Sequence, residues 1–464
     1  MSPMVPSPVR ASFLAGPVAA LAMAGWACGA WAQQALPALS AAHRQAMVEA
    51  LRAAGDPSPN SRDEAALRSA VLRLAQRELG QRIRPAALDR MWSIQPPRRD
   101  VAAELAAAEA NCRLSQWLKA LSPPYRQYQR LQAALLRYRG IVEAGGWPTL
   151  AGKAKLKEDV QDPQVEVLRQ RLAAEGYGQA TAAQPDRFDA ALKAALILFQ
   201  QHHGLPEDGV VGPATRAALN VPAEARLQQI EANLERWRWL PRALPGDRMM
   251  IDIGGARAAL FQAGQPILRM KVVVGDPRHH TPMFASKLDA VVFNPPWKVP
   301  TSIAVKEILP KARRDPGYLG RNHFVYVEGR LTQRPGPKNS LGQIKFDLPS
   351  PFGVYLHDTP VKGAFGRPAR ALSHGCMRLE KPRDLAVILL GRQGWTEEMV
   401  DQAVATGATQ RVDLKTQVPL YVSYWTVVAD ASGELDFRPD VYGWDRKLVD
   451  ALGPPLEKRA ALPR

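Results

Sequence analysis

Cysteine is scarce in this chain, with three among 464 residues. Cys28 falls in an apolar N-terminal stretch. Cys112 and Cys376 remain, and by count alone they read as one disulfide pair of an oxidising compartment. Charge is also missing near the N-terminus, where no Lys, Arg, Asp or Glu stands between Arg10 and Arg44. The run Ala11 to Ala27 is apolar and rich in small residues, and Ala30-Trp31-Ala32 fits a small-x-small cleavage site. Residues 1–32 are therefore expected to be an export signal. Pro17 and the many Ala and Gly residues make them weakly hydrophobic for a permanent span, so a membrane role follows only if the signal stays uncleaved. Gly25 stands where a lipobox wants a large aliphatic residue, which argues against lipid on Cys28. No Gly-rich phosphate loop follows any predicted strand, so nucleotide chemistry is not expected. His357, His374 and Cys376 have no fourth ligand at zinc spacing, so a metal is not expected.

What is present is length, apolar content and positive charge. A chain of 464 residues with 46% hydrophobic content should fold into two to four globular domains. The formal charge of +17 favours an anionic partner such as nucleic acid, acidic lipid or a polyanionic wall, without choosing among them.

The expected class is multidomain α+β, in four parts after the signal. Residues 33–150 read as an α-helical scaffold. Tyr128, Leu131, Leu135 and Tyr138 recur there at steps of three and four, the buried stripe of an amphipathic helix. Cys112 lies in this region with no His or acid arrangement near it, and reads as a small buried apolar residue. Residues 160–222 read as three short helices joined by tight turns, with Pro213 suited to a first helical position. Residues 226–445 open with a helix and continue as short Val-, Ile- and Phe-rich strands, giving a mainly β, sandwich-like domain. Within it, about 296–346 form a basic, Pro/Gly-rich insertion that reads as a lid. Residues 446–464 read as a C-terminal tail.

Chemistry concentrates in two places. Tyr355-Leu356-His357-Asp358 ends a predicted strand, Phe352 to His357. Sixteen residues after His357 comes the run Ser373-His374-Gly375-Cys376-Met377-Arg378. A cysteine nucleophile needs a base, itself oriented by a third group. His357 and His374 are the candidates. Neighbours in an extended loop point in different directions, so His357, arriving from another element, is the better one. Cys376 is expected shortly before a helix from Pro382, whose N-terminal N–H groups would lower a thiol pKa and receive an oxyanion. Gly375 removes bulk where a substrate carbonyl must approach.

The string Phe199-Gln200, Gly204-Leu205, Asp208-Gly209, Gly212-Pro213 and Thr215 resembles the peptidoglycan-binding module of bacterial wall enzymes. His357 followed by Ser373-His374-Gly375-Cys376 resembles the signature of the L,D-transpeptidases. The wider match, to their large multidomain Gram-negative type, takes in Val272–Gly275, Thr281-Pro282, Phe293–Pro300, Ile308–Pro310, Asp315–Tyr318 and Pro335–Asn339. Arg378 stands where smaller members have Asn, so that Asn's roles do not transfer. The resemblance implies a periplasmic enzyme whose Cys376 attacks the peptide joining meso-diaminopimelate to terminal D-Ala in a tetrapeptide stem. A thioester forms, and a second stem's amine resolves it into a 3→3 cross-link. It further implies His357 as general base and proton donor, and the backbone carbonyl of Asp358 as its orienter. Gly375, Cys376 and Tyr355 would stabilise the oxyanion, with Ser373 and His374 as loop support. Arg378, Trp297 and Asn339 would bind substrate. Implied partners are peptidoglycan tetrapeptide stems and carbapenem β-lactams as covalent inhibitors, with wall synthases as a further class and no nucleic acid. The same acyl-enzyme would serve an L,D-carboxypeptidase, an endopeptidase or a lipoprotein-anchoring transpeptidase. A noncatalytic wall-binding scaffold is the reading from another class.

Overall fold

The computed structural model describes residues 38–453, apart from 57–59 and 61. The expected export signal at 1–32 and the end of the expected tail lie outside the described residues. Fourteen strands occur among them, all in the second half of the chain. The first four are β1 (Arg248–Asp252), β2 (Arg257–Gln262), β3 (Gln265–Gly275) and β4 (Phe284–Phe293). β5 (Trp297–Lys298), β6 (Phe324–Val327) and β7 (Arg330–Gln333) belong to the insertion. There follow β8 (Ile344–Asp347), β9 (Leu356–His357), β10 (Ala371–Ser373) and β11 (Met377–Leu379). The last are β12 (Gln410–Ser423), β13 (Val427–Ala429) and β14 (Leu435–Phe437).

The main sheet has nine strands in the order β10-β3-β11-β9-β8-β4-β12-β1-β2, and β2 also pairs with β3. That last pairing closes the ladder from β3 round to β2 on itself, with β10 added at its rim on β3. β9 is shorter than the sequence predicts. Gly353 turns the chain at φ +64°, so only Leu356 and His357 enter the ladder. Their neighbours are β8 on one side and β11, in parallel, on the other.

The barrel and the scaffold share one core. The stripe Tyr128, Leu131, Leu135, Tyr138 lies on the helix Arg126–Glu143 and joins Ile230, Leu234 and Trp237 of the helix Ala223–Arg238. The same apolar cluster continues into β1, β4 and β12 through Ile251, Leu288 and Leu420. The helix Trp444–Leu452 runs across the expected tail boundary at 445/446, and its buried Leu448 belongs to this core. A separate cluster serves the three-helix module, from Val165 through Phe199 to Leu219. Cys112 departs from expectation. It is exposed, and takes φ +55° in the turn that ends the helix Val101–Ala110. Both Cys112 and Cys376 are free thiols, not a disulfide.

The insertion is ordered around its own core of Val299, Ala304, Ile308, Phe324 and Leu331. Its strands β5, β7 and β6 form a small antiparallel sheet. Its helical part widens to π turns over Ala304–Ile308 just ahead of Pro310. A proline offers no N–H to the carbonyl four residues back, and a wider turn accommodates that loss.

Candidate active site

β9 and β11 lie side by side, with His357 opposite Arg378 and Leu356 opposite Met377. This register carries Tyr355 and Cys376 to the same end of the strand pair, where Met377 N–H donates to the Tyr355 carbonyl at 3.1 Å. Cys376, His357, Tyr355, Ser373, His374 and Arg378 line one cleft of about 560 Å³, with Trp297 and Glu307 on its insertion side.

The His357 ring is buried, and its Nδ1 donates to the Asp358 carbonyl at 2.5 Å. A carbonyl only accepts, so this contact sets the tautomer and leaves Nε2 unprotonated in the neutral ring. The Asp358 carboxylate is engaged elsewhere. It accepts from Gln343 N–H at 2.9 Å and pairs with Lys362. Burial pushes the His357 imidazole down to about 4, and the Arg378 guanidinium acts in the same direction against the Asp358 carbonyl. His357 is therefore neutral at pH 7.

The thiol departs from the sequence expectation. Burial pushes the Cys376 thiol above its ordinary value, outweighing hydrogen bonds from Tyr355 and the nearby charges of Lys345 and Arg378. β11 stands in the chain between Cys376 and the helix Pro382–Gly391, so the thiol does not sit at that helix's N-terminus. Tyr355 donates its hydroxyl to the thiol and accepts from Trp297, and burial raises its own pKa.

The loop is braced from several directions. Ser373 Oγ donates to the Cys376 carbonyl at 2.6 Å and accepts from Gly375 N–H at 3.1 Å. Thr281 Oγ1 donates to the Gly375 carbonyl and accepts from Gly275 N–H, both at 2.8 Å. Gly375 holds φ +109°, and a Cβ there would meet the His280 carbonyl at 3.3 Å. Its glycine is thus required by backbone geometry as well as by access. His374 faces away from the thiol, with Nε2 on Glu307 Oε1 of the insertion at 2.5 Å.

Arg378 does not pair with Glu380, which accepts Lys271 N–H at 2.8 Å, and Arg378 Nε has no hydrogen-bond partner. Asn339 requires a correction. It is 1% exposed, its amide nitrogen donates to the carbonyls of Pro295, Gln333 and Arg334, and its oxygen accepts from Leu341 N–H. With every polar atom spent on backbone, Asn339 holds the loop that lets Ser340 and Leu341 line the cleft, and has no group left for substrate. Sequence reasoning missed Glu307 and the bracing role of Thr281. The only local signal for the latter was Thr281-Pro282 within the wider family match.

A closed mixed barrel presenting a thiol and an oriented, neutral imidazole in one cleft defines a cysteine-and-histidine site. Residues 246–417 match the L,D-transpeptidase catalytic domain, residues 161–219 a putative peptidoglycan binding domain, and residues 30–135 a scaffold domain. The chain thus carries an L,D-transpeptidase catalytic domain together with a peptidoglycan-binding domain. A putative L,D-transpeptidase of Haemophilus influenzae is 33% identical over 242 residues, 48% of this chain and 49% of that protein. The match spans about half the length of that relative. Among solved structures, an L,D-transpeptidase from Mycobacterium smegmatis aligns at 17% identity over 38% of this chain and 58% of its own, with a TM-score of 0.21. One from Xylanimonas cellulosilytica aligns at 14% identity over 59% and 98%, with a TM-score of 0.18.

Proposed function

We propose that the protein is a periplasmic L,D-transpeptidase that forms 3→3 cross-links between peptidoglycan stems through a thioester on Cys376. The observation that carries this reading is a half-buried thiol and a buried imidazole, both neutral, lining one cleft walled by an ordered insertion. Cys376 Sγ attacks the carbonyl between meso-diaminopimelate and D-Ala, and its proton passes to His357 Nε2. The C–N bond breaks, the same proton goes to the leaving D-Ala amine, and a thioester remains. The side-chain amine of a second stem then attacks the thioester and loses its proton to His357. The amide forms and the proton returns to the departing sulfur. Tyr355 and the N–H groups of Gly375 and Cys376 receive the oxyanion. Arg378, with a donor to spare, takes a stem carboxylate, and Trp297 walls the cleft beside it. Carbapenem β-lactams acylate the same thiol. The insertion restricts water and so favours the amine as acceptor.

The test is incubation of the protein with tetrapeptide muropeptides, followed by mass analysis. Dimers lacking one D-Ala are expected, and none with Cys376→Ala. Tripeptide monomers without dimers would replace transfer by hydrolysis, and products unchanged in Cys376→Ala would overturn the mechanism.

A further inference from the structure

A second cavity of about 570 Å³ lies against β1, β2 and β3, and it shares no lining residue with the Cys376 cleft. Its apolar wall includes Trp237 and Trp425, stacked with ring centroids 4.7 Å apart. Its polar wall sets five cations, Arg257, Arg269, Lys271, Arg370 and Arg438, against two carboxylates, Asp252 and Glu380. Arg257 on β2 stands directly opposite Lys271 on β3, and Arg269 lies two residues along the same face. Like charges at directly opposed positions destabilise an antiparallel pair. All three side chains are exposed at the cavity.

The carboxylates at this cavity are already engaged. Asp252 pairs with Arg438 and accepts from Gly255 N–H at 3.1 Å, while Glu380 accepts the main-chain N–H of Lys271. Arg370 donates through Nη2 to the carbonyls of Gly255 and Ala256 at 3.2 Å, but its Nε is buried without a partner. Trp425 Nε1 is likewise buried without a partner. The walls therefore present donors and positive charge in excess of acceptors, the complement of an anionic, oxygen-rich ligand with an apolar face.

The location ties this cavity to the reacting loop. Arg370 leads into β10 and Glu380 follows β11, so the two residues bracket the segment that carries Cys376. Both are hydrogen-bonded to β3, Arg370 through its carbonyl to Val274 N–H at 3.0 Å and Glu380 through its N–H to the Lys271 carbonyl at 3.1 Å.

We propose that this cavity is a second binding site for a carboxylate-bearing peptide stem of uncross-linked peptidoglycan, with Arg257, Arg269 and Lys271 on its carboxylates and Trp425 on its apolar part. The identity of the polymer rests on the function proposed above. The existence of an anion site rests on the cavity alone. A stem held here would anchor the wall beside the enzyme while another stem reacts at Cys376.

The test is calorimetric titration of the full-length Cys376→Ala protein with a soluble disaccharide tetrapeptide. In this inert background the cavity should bind the muropeptide in addition to the Cys376 cleft and the peptidoglycan-binding module at 161–219. Arg257→Gln with Lys271→Gln should weaken one binding event at least ~tenfold and leave the others. Amidating the stem carboxylates should remove the same event. Without ligand, the double variant should melt no lower than its parent, because a like-charge contact has been relieved. An unchanged titration in the double variant, or a fall of several degrees in its Tm, would overturn the proposal. So would equal displacement by inorganic phosphate at the muropeptide's concentration, which would reduce the site to a general anion site. Loss of the catalytic reading shows separately, as wild-type protein that releases no product from the same muropeptide.

Discussion

His357 Nδ1 sits 2.5 Å from the carbonyl oxygen of Asp358, its own neighbour in the chain. The contact fixes which imidazole nitrogen can take a proton, and burial keeps that nitrogen free at neutral pH. Consequences for rate and stability follow from this and from the contacts around it.

The acidic limb of kcat/KM should report His357. Its pKa in the folded protein is about 4, below the ordinary 6.5, so the neutral form is the one folding favours. The associated stability is fully present above 6.5 and is lost as pH falls toward 4. Activity should therefore hold from pH 7 down to about 5 and drop with an apparent pKa near 4. A limb centred at 6.5 would contradict the buried, neutral imidazole.

Cys376 should alkylate with iodoacetamide more slowly at pH 7 than an unhindered thiol, since burial holds back thiolate formation. Tyr355→Phe removes a hydrogen bond that favours the thiolate and should slow alkylation further. As an oxyanion donor, its loss should lower kcat by roughly 10²–10³-fold. A variant with native kcat would remove Tyr355 from the reaction.

Gly375→Ala puts a Cβ on a residue at φ +109°, facing the His280 carbonyl. The strain is local, of order 1–3 kcal/mol. Cross-linking should fall sharply while Tm changes by only a few degrees. Scanning calorimetry beside a product assay separates the two effects.

His374→Ala cuts the bridge to Glu307 and frees the insertion from the Cys376 loop. An exposed pair of this kind is worth up to about 1 kcal/mol. KM for muropeptide should rise several-fold with little change in kcat, and Glu307→Gln should reproduce it. A collapse of kcat in His374→Ala alone would instead make His374 a proton carrier.

Glu78 ties the scaffold to the helix Ala223–Arg238 that leads into the barrel. Its carboxylate meets Arg238 and Arg77 and accepts from Tyr128 at 2.6 Å and Ser122 at 2.9 Å. Burial pushes it up, but these partners hold it down to about 2. Being depressed, it stabilises the fold above its ordinary 4.5, and that stability is lost as pH falls toward 2. Glu78→Ala should cost about 3–5 kcal/mol, because Arg238 and Arg77 lose a buried partner. It should also flatten the acid limb of a Tm-against-pH curve.

The parts readable in the sequence are those written in neighbouring residues. The stripe Tyr128 to Tyr138 showed a helix and its buried face, and the cluster Ser373 to Cys376 marked the reacting loop. The insertion could be read as a lid because Ile308, Leu309, Tyr318 and Phe324 supplied apolar surface. Beyond reach were the partners those faces meet. Nothing in the stripe announces the helix Ala223–Arg238, and nothing near Pro382 says that β11 will separate Cys376 from the helix.

His357 and Cys376 as a candidate pair, the expected order of the modules and the glycine at 375 were thus legible in the sequence alone, since each depends on local pattern or steric demand. The tertiary structure decided the protonation of that pair, the withdrawal of Asn339 from substrate and the facing of Arg257 by Lys271. These depend on burial and on ladder register, which bring together residues far apart in the chain.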